Sequence, residues 1–300
     1  MSVKNIYELI GNTPLIKFLS EKRRHIFAKA EFLNPGGSIK DRVALAMIED
    51  AEKKGILKPD SIIAEATSGN TGIGISLVGR IKDYRVIIVM PENMSEERKK
   101  IIKALGAELI LTPAEKGIQG SVDYLNGLKG SDDRIWIASQ FTNEANPLCH
   151  YNHTAKEIWA QTGGKVDAFV AGVGSGGTLQ GIGKFLKEKN KKIKVIAVEP
   201  ANASALLGHE PGLHQIQGIG DGFIPAVLDT KLIDEVITVT DDEAIETTRM
   251  LAREEGLLVG TSSGANMFAA LRISRGYGEG FNVVTVLPDR AERYFSTALI

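Results

Sequence analysis

The chain has almost no cysteine. Its single one, Cys149, leaves no internal disulfide framework and suits a reducing compartment. It also lacks any excess of charge. Lys plus Arg number 36 against 37 Asp plus Glu, for a formal net charge of -1. No basic surplus points to nucleic acid, and no charged tail points to a surface-binding arm. No apolar run reaches the roughly 18 residues needed to span a bilayer, so no membrane partner is expected. The opening stretch MSVKNIYELIGNTPL carries no apolar signal core, which points to a cytoplasmic protein. Aromatics are sparse at 6%, yet 43% of residues are hydrophobic and 24% charged. That is the balance of a soluble globular protein with enough apolar residues for a full core. At 300 residues the chain is expected to form one large domain or two of ordinary size. Glycine is plentiful, at 32 residues, and clusters after strand-like runs, where backbone must come close to a ligand.

Short β-branched runs alternate with amphipathic ones. Strands are predicted at 25–32, 61–66, 85–90, 108–112 and 134–139, then at 167–173, 194–199, 235–240 and 282–287. These are continuous apolar strands, as expected when helices cover both faces of a parallel sheet. The intervening helical runs include RVALAMIEDAEKKG, with Gly55 as terminator. The alternation predicts an α/β protein with parallel sheets, in two series. The break falls near 140–150, where FTNEANPLCH loses periodicity, and a ligand is expected in the cleft at the strands' carboxyl ends. The Gly-rich loop 208–225 is long enough to be functional.

Four strand-to-helix turns carry the chemistry. In Asn34-Pro35-Gly36-Gly37-Ser38-Ile39-Lys40-Asp41-Arg42, Ser38 and Asp41 have capping-box spacing, so a helix is predicted to start at Ser38. Lys40 then sits in the first turn, at the positive end of the helix dipole, where a neutral amine is favoured. A solvated surface lysine is the competing reading. Thr67-Ser68-Gly69-Asn70-Thr71-Gly72 gathers more donors than a helix cap needs and suits an anion. Gly172-Val173-Gly174-Ser175-Gly176-Gly177-Thr178 admits two ligands. Its G-x-G-x-x-G spacing, with Glu199 22 residues past Gly177, fits a dinucleotide. A cup for one phosphate, with Ser175 and Thr178 adding hydroxyls, fits as well. Gly260-Thr261-Ser262-Ser263-Gly264-Ala265 is by itself only a capped helix start.

Taken in order, and together with Ile10-Gly11-Asn12-Thr13-Pro14-Leu15, Gln140-Phe141 and Gln217-Gly218-Ile219-Gly220, these motifs resemble the fold-type II pyridoxal-phosphate enzymes. The resemblance covers almost the whole chain. It is strongest to cysteine synthase (O-acetylserine sulfhydrylase) and cystathionine β-synthase. It implies two three-layer α/β/α domains with mainly parallel sheets, tryptophan-synthase-β-like, with the cofactor in the cleft between them. The smaller, mobile substrate-binding domain would span 36–145. Residues 1–35 and 146–300 would form the larger domain that binds the cofactor phosphate. By position, Lys40 resembles the lysine that holds pyridoxal 5'-phosphate covalently, and Asn70 the partner of its phenolic oxygen. Gly174, Ser175, Gly176, Gly177 and Thr178 resemble the phosphate binders, which takes the dinucleotide role from Glu199. Ser262 resembles the serine facing the pyridine nitrogen. Thr67, Ser68, Gly69, Thr71, Gln140 and Gly220 resemble the residues around the amino-acid substrate. The implied reaction replaces the acetate of O-acetyl-L-serine by sulfide, through an α-aminoacrylate, to give L-cysteine. A homodimer is implied, as is a complex with serine acetyltransferase, in which a terminal residue such as Ile300 can enter the site.

Two departures stand out. Asp221 follows the QGIG motif where relatives often carry a small residue. An acid there would repel a bisulfide anion and could activate water, making Asp221 a candidate catalytic residue of a cysteine-consuming, sulfide-releasing lyase. An outward-facing loop aspartate is the alternative. Second, His153-Thr154-Ala155-Lys156-Glu157-Ile158 is closer to cystathionine β-synthase, which keeps homocysteine in view as the nucleophile. Cys149, His150 and His153 cluster but fall short of the four ligands of structural zinc, so no metal is expected.

Overall fold

The computed structural model describes residues 3–18, 25–67 and 69–299. Ten strands form two sheets. They are β1 (Leu15–Lys17), β2 (Ile26–Ala30), β3 (Ile62–Ala66), β4 (Arg85–Pro91), β5 (Glu108–Thr112), β6 (Ile135–Ile137), β7 (Ala168–Gly172), β8 (Lys194–Pro200), β9 (Glu235–Val239) and β10 (Val283–Leu287). The smaller sheet runs β5-β4-β3-β6 and is parallel throughout. The larger runs β1-β2-β10-β7-β8-β9 and is parallel except for β1, which lies antiparallel on β2 at the edge. This edge strand was not expected, since three residues are too few to show a period.

Both sheets are covered on both faces, which explains why their strands read as unbroken apolar runs. Successive side chains point to opposite sides. In the larger sheet Ala168, Val170, Ile196 and Val198 pack in one cluster, and Phe169, Ala171, Val195 and Ala197 in another. In the smaller sheet Ile63, Val86 and Ile88 face one core, and Ile62, Ala64, Ile87 and Val89 the other.

Nine helices are described: α1 (Lys40–Lys53), α2 (Asn70–Ile81), α3 (Glu96–Ala104), α4 (Gly117–Ser131), α5 (Ala145–Cys149), α6 (Ala155–Gln161), α7 (Gly177–Lys189), α8 (Asp241–Glu255) and α9 (Thr261–Tyr277). A single π-helical turn, His150–Thr154, joins α5 to α6. Helix α1 ends as predicted, with Gly55 at φ 69°, but it begins at Lys40 rather than Ser38. The expected capping box does not form. The Asp41 carboxylate turns back to accept from the Gly36 N–H at 2.6 Å, and Ser38 forms a bridge with Asp289. The strand predicted over 134–139 stops at Ile137 because Ser139 takes φ 55° and turns the chain.

Candidate active site

The predicted turns at Thr67 and Gly172 leave the carboxyl ends of strands, as do the segments after β6 and β10, whereas the turn at Gly260 follows no strand. Thr67 follows β3, Ser139 and Gln140 follow β6, the glycine loop follows β7, and Pro288 and Asp289 follow β10. They meet at a solvent-open cleft with about 850 Å³ of empty space, the adjoining solvent included.

Of the sequence candidates, Lys40, Thr67, Gly69, Asn70, Thr71, Gln140, Gly174, Ser175, Gly176, Thr178, Asp221 and Ser262 all line this cleft. Gly177 and Gly220 are not among its lining residues. Gly177 opens α7, and Gly220 donates its N–H to the Val173 carbonyl at 2.9 Å. Ser68 and Ile300 lie outside the described residues. Glu199 does not line the cleft; its carboxylate is taken up by the Ser204 hydroxyl at 2.6 Å and the Leu206 N–H at 3.1 Å. It is therefore not free to meet a ribose.

Lys40 Nζ donates to Ser175 Oγ at 3.1 Å, which joins the lysine turn to the glycine loop. Burial lowers the Lys40 pKa, against the opposing pull of Asp221, Cys149 and Asp289. The amine is thus eased toward its neutral, nucleophilic form. Asp221 shows its side chain to solvent in the cleft but has protein on most sides. That enclosure raises its pKa, while Lys40 and His214 act to lower it.

The glycine loop is shaped as a cradle. Gly176 takes φ 80° at the start of α7, a backbone that favours glycine. A Cβ on Gly174 would collide with the Gly218 carbonyl oxygen, so glycine there lets the two loops touch. Helix α7 then presents its free N–H groups at the cleft, an arrangement that suits a phosphate. Across the cleft Asn70 gives one amide hydrogen to Asp289 Oδ2 at 2.6 Å. Its Oδ1 is buried without a partner. A buried polar atom without a partner beside a glycine cradle and a lysine is a site that awaits a polar ligand. The residues present fit pyridoxal phosphate.

The side of the cleft lined by Thr71 and Gln140 is stiffened from behind. Thr71 Oγ1 donates to Gln140 Oε1 at 2.7 Å. The Gln140 and Ser139 N–H groups donate to the buried Glu65 carboxylate at 3.2 and 2.8 Å. Burial raises Glu65 to about 7 in spite of them.

The family model described as pyridoxal-phosphate dependent enzyme matches residues 6–289. The chain belongs to this family. It is 47% identical to a cysteine synthase of Staphylococcus aureus (strain N315) over 99% of this chain and 97% of that one. Among solved structures it superposes with TM-score 0.94 on a hydrogen sulfide-producing enzyme from Fusobacterium nucleatum, 43% identical over 98% of this chain and all of the other. An O-acetylserine dependent cystathionine beta-synthase from Helicobacter pylori matches equally well, with TM-score 0.94 and 41% identity over 100% of this chain and 99% of that one. The α/β fold and the pyridoxal-phosphate chemistry expected from the sequence therefore stand.

Sequence reasoning missed several residues around the cleft. Asp289 bonds both Asn70 and the Tyr294 hydroxyl. Arg98, 1% exposed, reaches from α3 to Gln217 and lies 4.9 Å from the Tyr294 ring centroid. Asn266 caps the Gly172 N–H at 2.7 Å. No motif announces these; they are brought in from distant segments. Cys149 is buried, with its thiol on the Asn146 carbonyl and its pKa pushed up to about 12 by burial. Among the described residues no group of three His, Cys, Asp or Glu side chains is placed to hold a metal, and no helix is long and apolar enough to cross a membrane.

Proposed function

We propose that the chain catalyses β-replacement on an activated L-serine, O-acetyl-L-serine, with sulfide as nucleophile and L-cysteine as product. The observation that carries this is the position of Lys40 Nζ, bonded to Ser175 between the glycine loop and the turn at Thr67 to Thr71. In this reading Gly174 to Thr178 hold the cofactor phosphate, Asn70 meets the phenolic oxygen and Ser262 the pyridine nitrogen. Bound there, pyridoxal phosphate stabilises negative charge at the substrate's α-carbon and so lets a β-substituent leave. Ser262 offers that nitrogen a neutral hydroxyl instead of a carboxylate, which suits elimination and replacement more than transamination.

The chain's own residues do the rest. The amino-acid carboxylate docks at the start of α2, with Thr67, Ser68, Gly69 and Thr71 as the residues assigned to it. Gln140, held by Glu65 and Thr71, fixes its orientation. Lys40, with its pKa lowered by burial, accepts the α-proton through Nζ. Closure of a unit spanning 36–145 over the larger remainder would exclude water from the reacting carbon. A homodimer, a cytoplasmic location and a serine acetyltransferase complex belong to the same proposal.

Asp221 favours a second reading, with cysteine consumed, sulfide released and serine formed. Its carboxylate lines the cleft and is electrostatically coupled to Lys40. Its raised pKa places it nearer the range of a general base for water. The relative from Fusobacterium nucleatum is named as a hydrogen sulfide producer. Use of homocysteine is the third option within the same chemistry.

The test is the visible spectrum of the holoenzyme with O-acetyl-L-serine and, separately, with L-cysteine, with sulfide and serine measured. A spectral change with O-acetyl-L-serine and cysteine formation on adding sulfide supports synthesis. Turnover of L-cysteine that disappears in Asp221→Asn supports the lyase. Full activity of Lys40→Ala would overturn both.

A further inference from the structure

Two polar side chains lie under the glycine loop, on the side away from the cleft. Asn146 Nδ2 donates to Ser175 Oγ at 3.0 Å and to the Gln140 carbonyl at 2.8 Å. One helical turn on, His150 is 0% exposed and bridges two hydroxyls. Its Nδ1 is 3.0 Å from Thr154 Oγ1, and its Nε2 is 3.3 Å from Thr178 Oγ1. The pair fits so close because α7 meets this segment through glycines. A Cβ on Gly177 would run into the Asn146 amide, and one on Gly181 would lie 2.8 Å from His150 Cβ. The π-helical turn at His150–Thr154 keeps Thr154 against the ring.

A hydroxyl has one hydrogen and two lone pairs. Ser175 Oγ already accepts from Lys40 Nζ and Asn146 Nδ2, so its hydrogen is the one group left to offer a ligand. Thr178 depends on the His150 tautomer. Burial, with Lys40 and Arg42 adding to it, holds His150 well below its usual pKa, so the ring is neutral with one N–H. If Nδ1 carries that hydrogen, Thr178 must donate to Nε2 and can show an anion only lone pairs. If Nε2 carries it, Thr154 donates to Nδ1, Nε2 donates to Thr178, and the Thr178 hydrogen is free. An anion in the cup selects the second arrangement.

We infer that Asn146 and His150 are positioning residues that orient the Ser175 and Thr178 hydroxyls as donors toward a phosphate. The inference rests on the reading of the glycine loop as the phosphate cup. Neither residue touches the ligand; each saturates the far side of a hydroxyl that does.

Phosphorus NMR of the holoenzyme reads this directly, alongside the dissociation constant for pyridoxal phosphate from equilibrium dialysis. His150→Phe is expected to move the phosphorus resonance toward that of free cofactor and to weaken binding about tenfold, the effect of one hydrogen bond to a charged group. His150→Gln, which can keep an N–H near the Nε2 position, should restore most of both. In a Thr178→Ala background, His150→Phe should add less than about twofold, because a residue that acts through Thr178 has nothing left to orient. Asn146→Leu, with Ser175→Ala as its background, makes the same test should the His150 variants not fold. A wild-type resonance and affinity in His150→Phe, or a full effect that persists without Thr178, would overturn the inference. Unchanged spectra in Ser175→Ala and Thr178→Ala themselves would overturn the phosphate-cup reading, and the inference with it.

Discussion

Replacing Glu157 by glutamine probes the buried charge lattice that fixes the start of α1, two residues from Lys40. Four donors converge on this carboxylate. Arg42 Nη1 and Nη2 reach it at 2.7 Å each, Lys29 Nζ at 2.6 Å and the Asn12 N–H at 3.1 Å. The Glu157 side chain is 15% exposed and that of Lys29 0%. Burial acts to raise the Glu157 pKa, but Arg42 and then Lys29 outweigh it and hold the carboxyl at about 2, from an ordinary 4.5. That difference corresponds to about 3 kcal/mol of stability at neutral pH. Because the folded-state value is the lower one, the contribution is complete above pH 4.5 and is lost as pH falls toward 2. Glutamine keeps one acceptor oxygen but turns an NH2 group toward a cation. Burial already lowers the Lys29 pKa, so an unmatched Lys29 sheds its proton before it stays charged. The expected cost is about 3 kcal/mol at pH 7, within the range for breaking a buried pair. Urea unfolding measures it, with pyridoxal phosphate at fixed excess because ligand binding adds its own stabilisation. A variant within about 0.5 kcal/mol of the parent would refute the reasoning. So would a loss of equal size at pH 7 and near pH 3.

Further outcomes follow from the same contacts. Gly174→Ala should weaken cofactor binding at least about tenfold with far-ultraviolet circular dichroism unchanged, since its Cβ meets the Gly218 carbonyl and a backbone cannot swing aside; dialysis against free cofactor reads it. Arg98→Met should raise KM for the amino-acid substrate more than it lowers kcat, because it releases Gln217 and the loop that carries Asp221 from α3; steady-state kinetics separate the two. Asp41 is wholly buried and burial raises it to about 7, so the stability it contributes is present below pH 3.8 and lost as pH rises through 7. Asp41→Asn should therefore gain on the parent between pH 5 and 8 in urea midpoints.

Much of the fold was legible because local pattern and tertiary role coincide. The apolar runs at 61–66, 85–90, 167–173 and 194–199 are strands buried on both faces, and such strands announce themselves. The glycine loop's place at the cleft was legible too, since close approach of backbone to the Gly218 loop needs a residue without a side chain at 174. The three-residue β1 and the true start of α1 were not, because they depend on partners far away in sequence. Ser38 and Asp41 have the spacing of a capping box, yet Asp41 is bonded to Gly36 and Ser38 is bridged to Asp289. His150 illustrates the same limit. The sequence places it beside Cys149 and His153 with too few ligands for a metal and gives it no role, whereas the fold turns it against Thr178.

The sequence by itself determined the groups on offer: a lysine at a helix start, a hydroxyl- and amide-rich turn after β3, a glycine turn after β7 and an acid at 221. These are short-range patterns in which each motif supplies its own backbone geometry. Only the tertiary structure decided how they are held. Asn70 on Asp289, Arg98 against Tyr294 and Gln217, Glu65 behind Gln140, and Asn146 and His150 under the cup all join segments that are far apart or lack a shared motif. Buried polar groups must find partners wherever packing brings them, and no local period records that requirement.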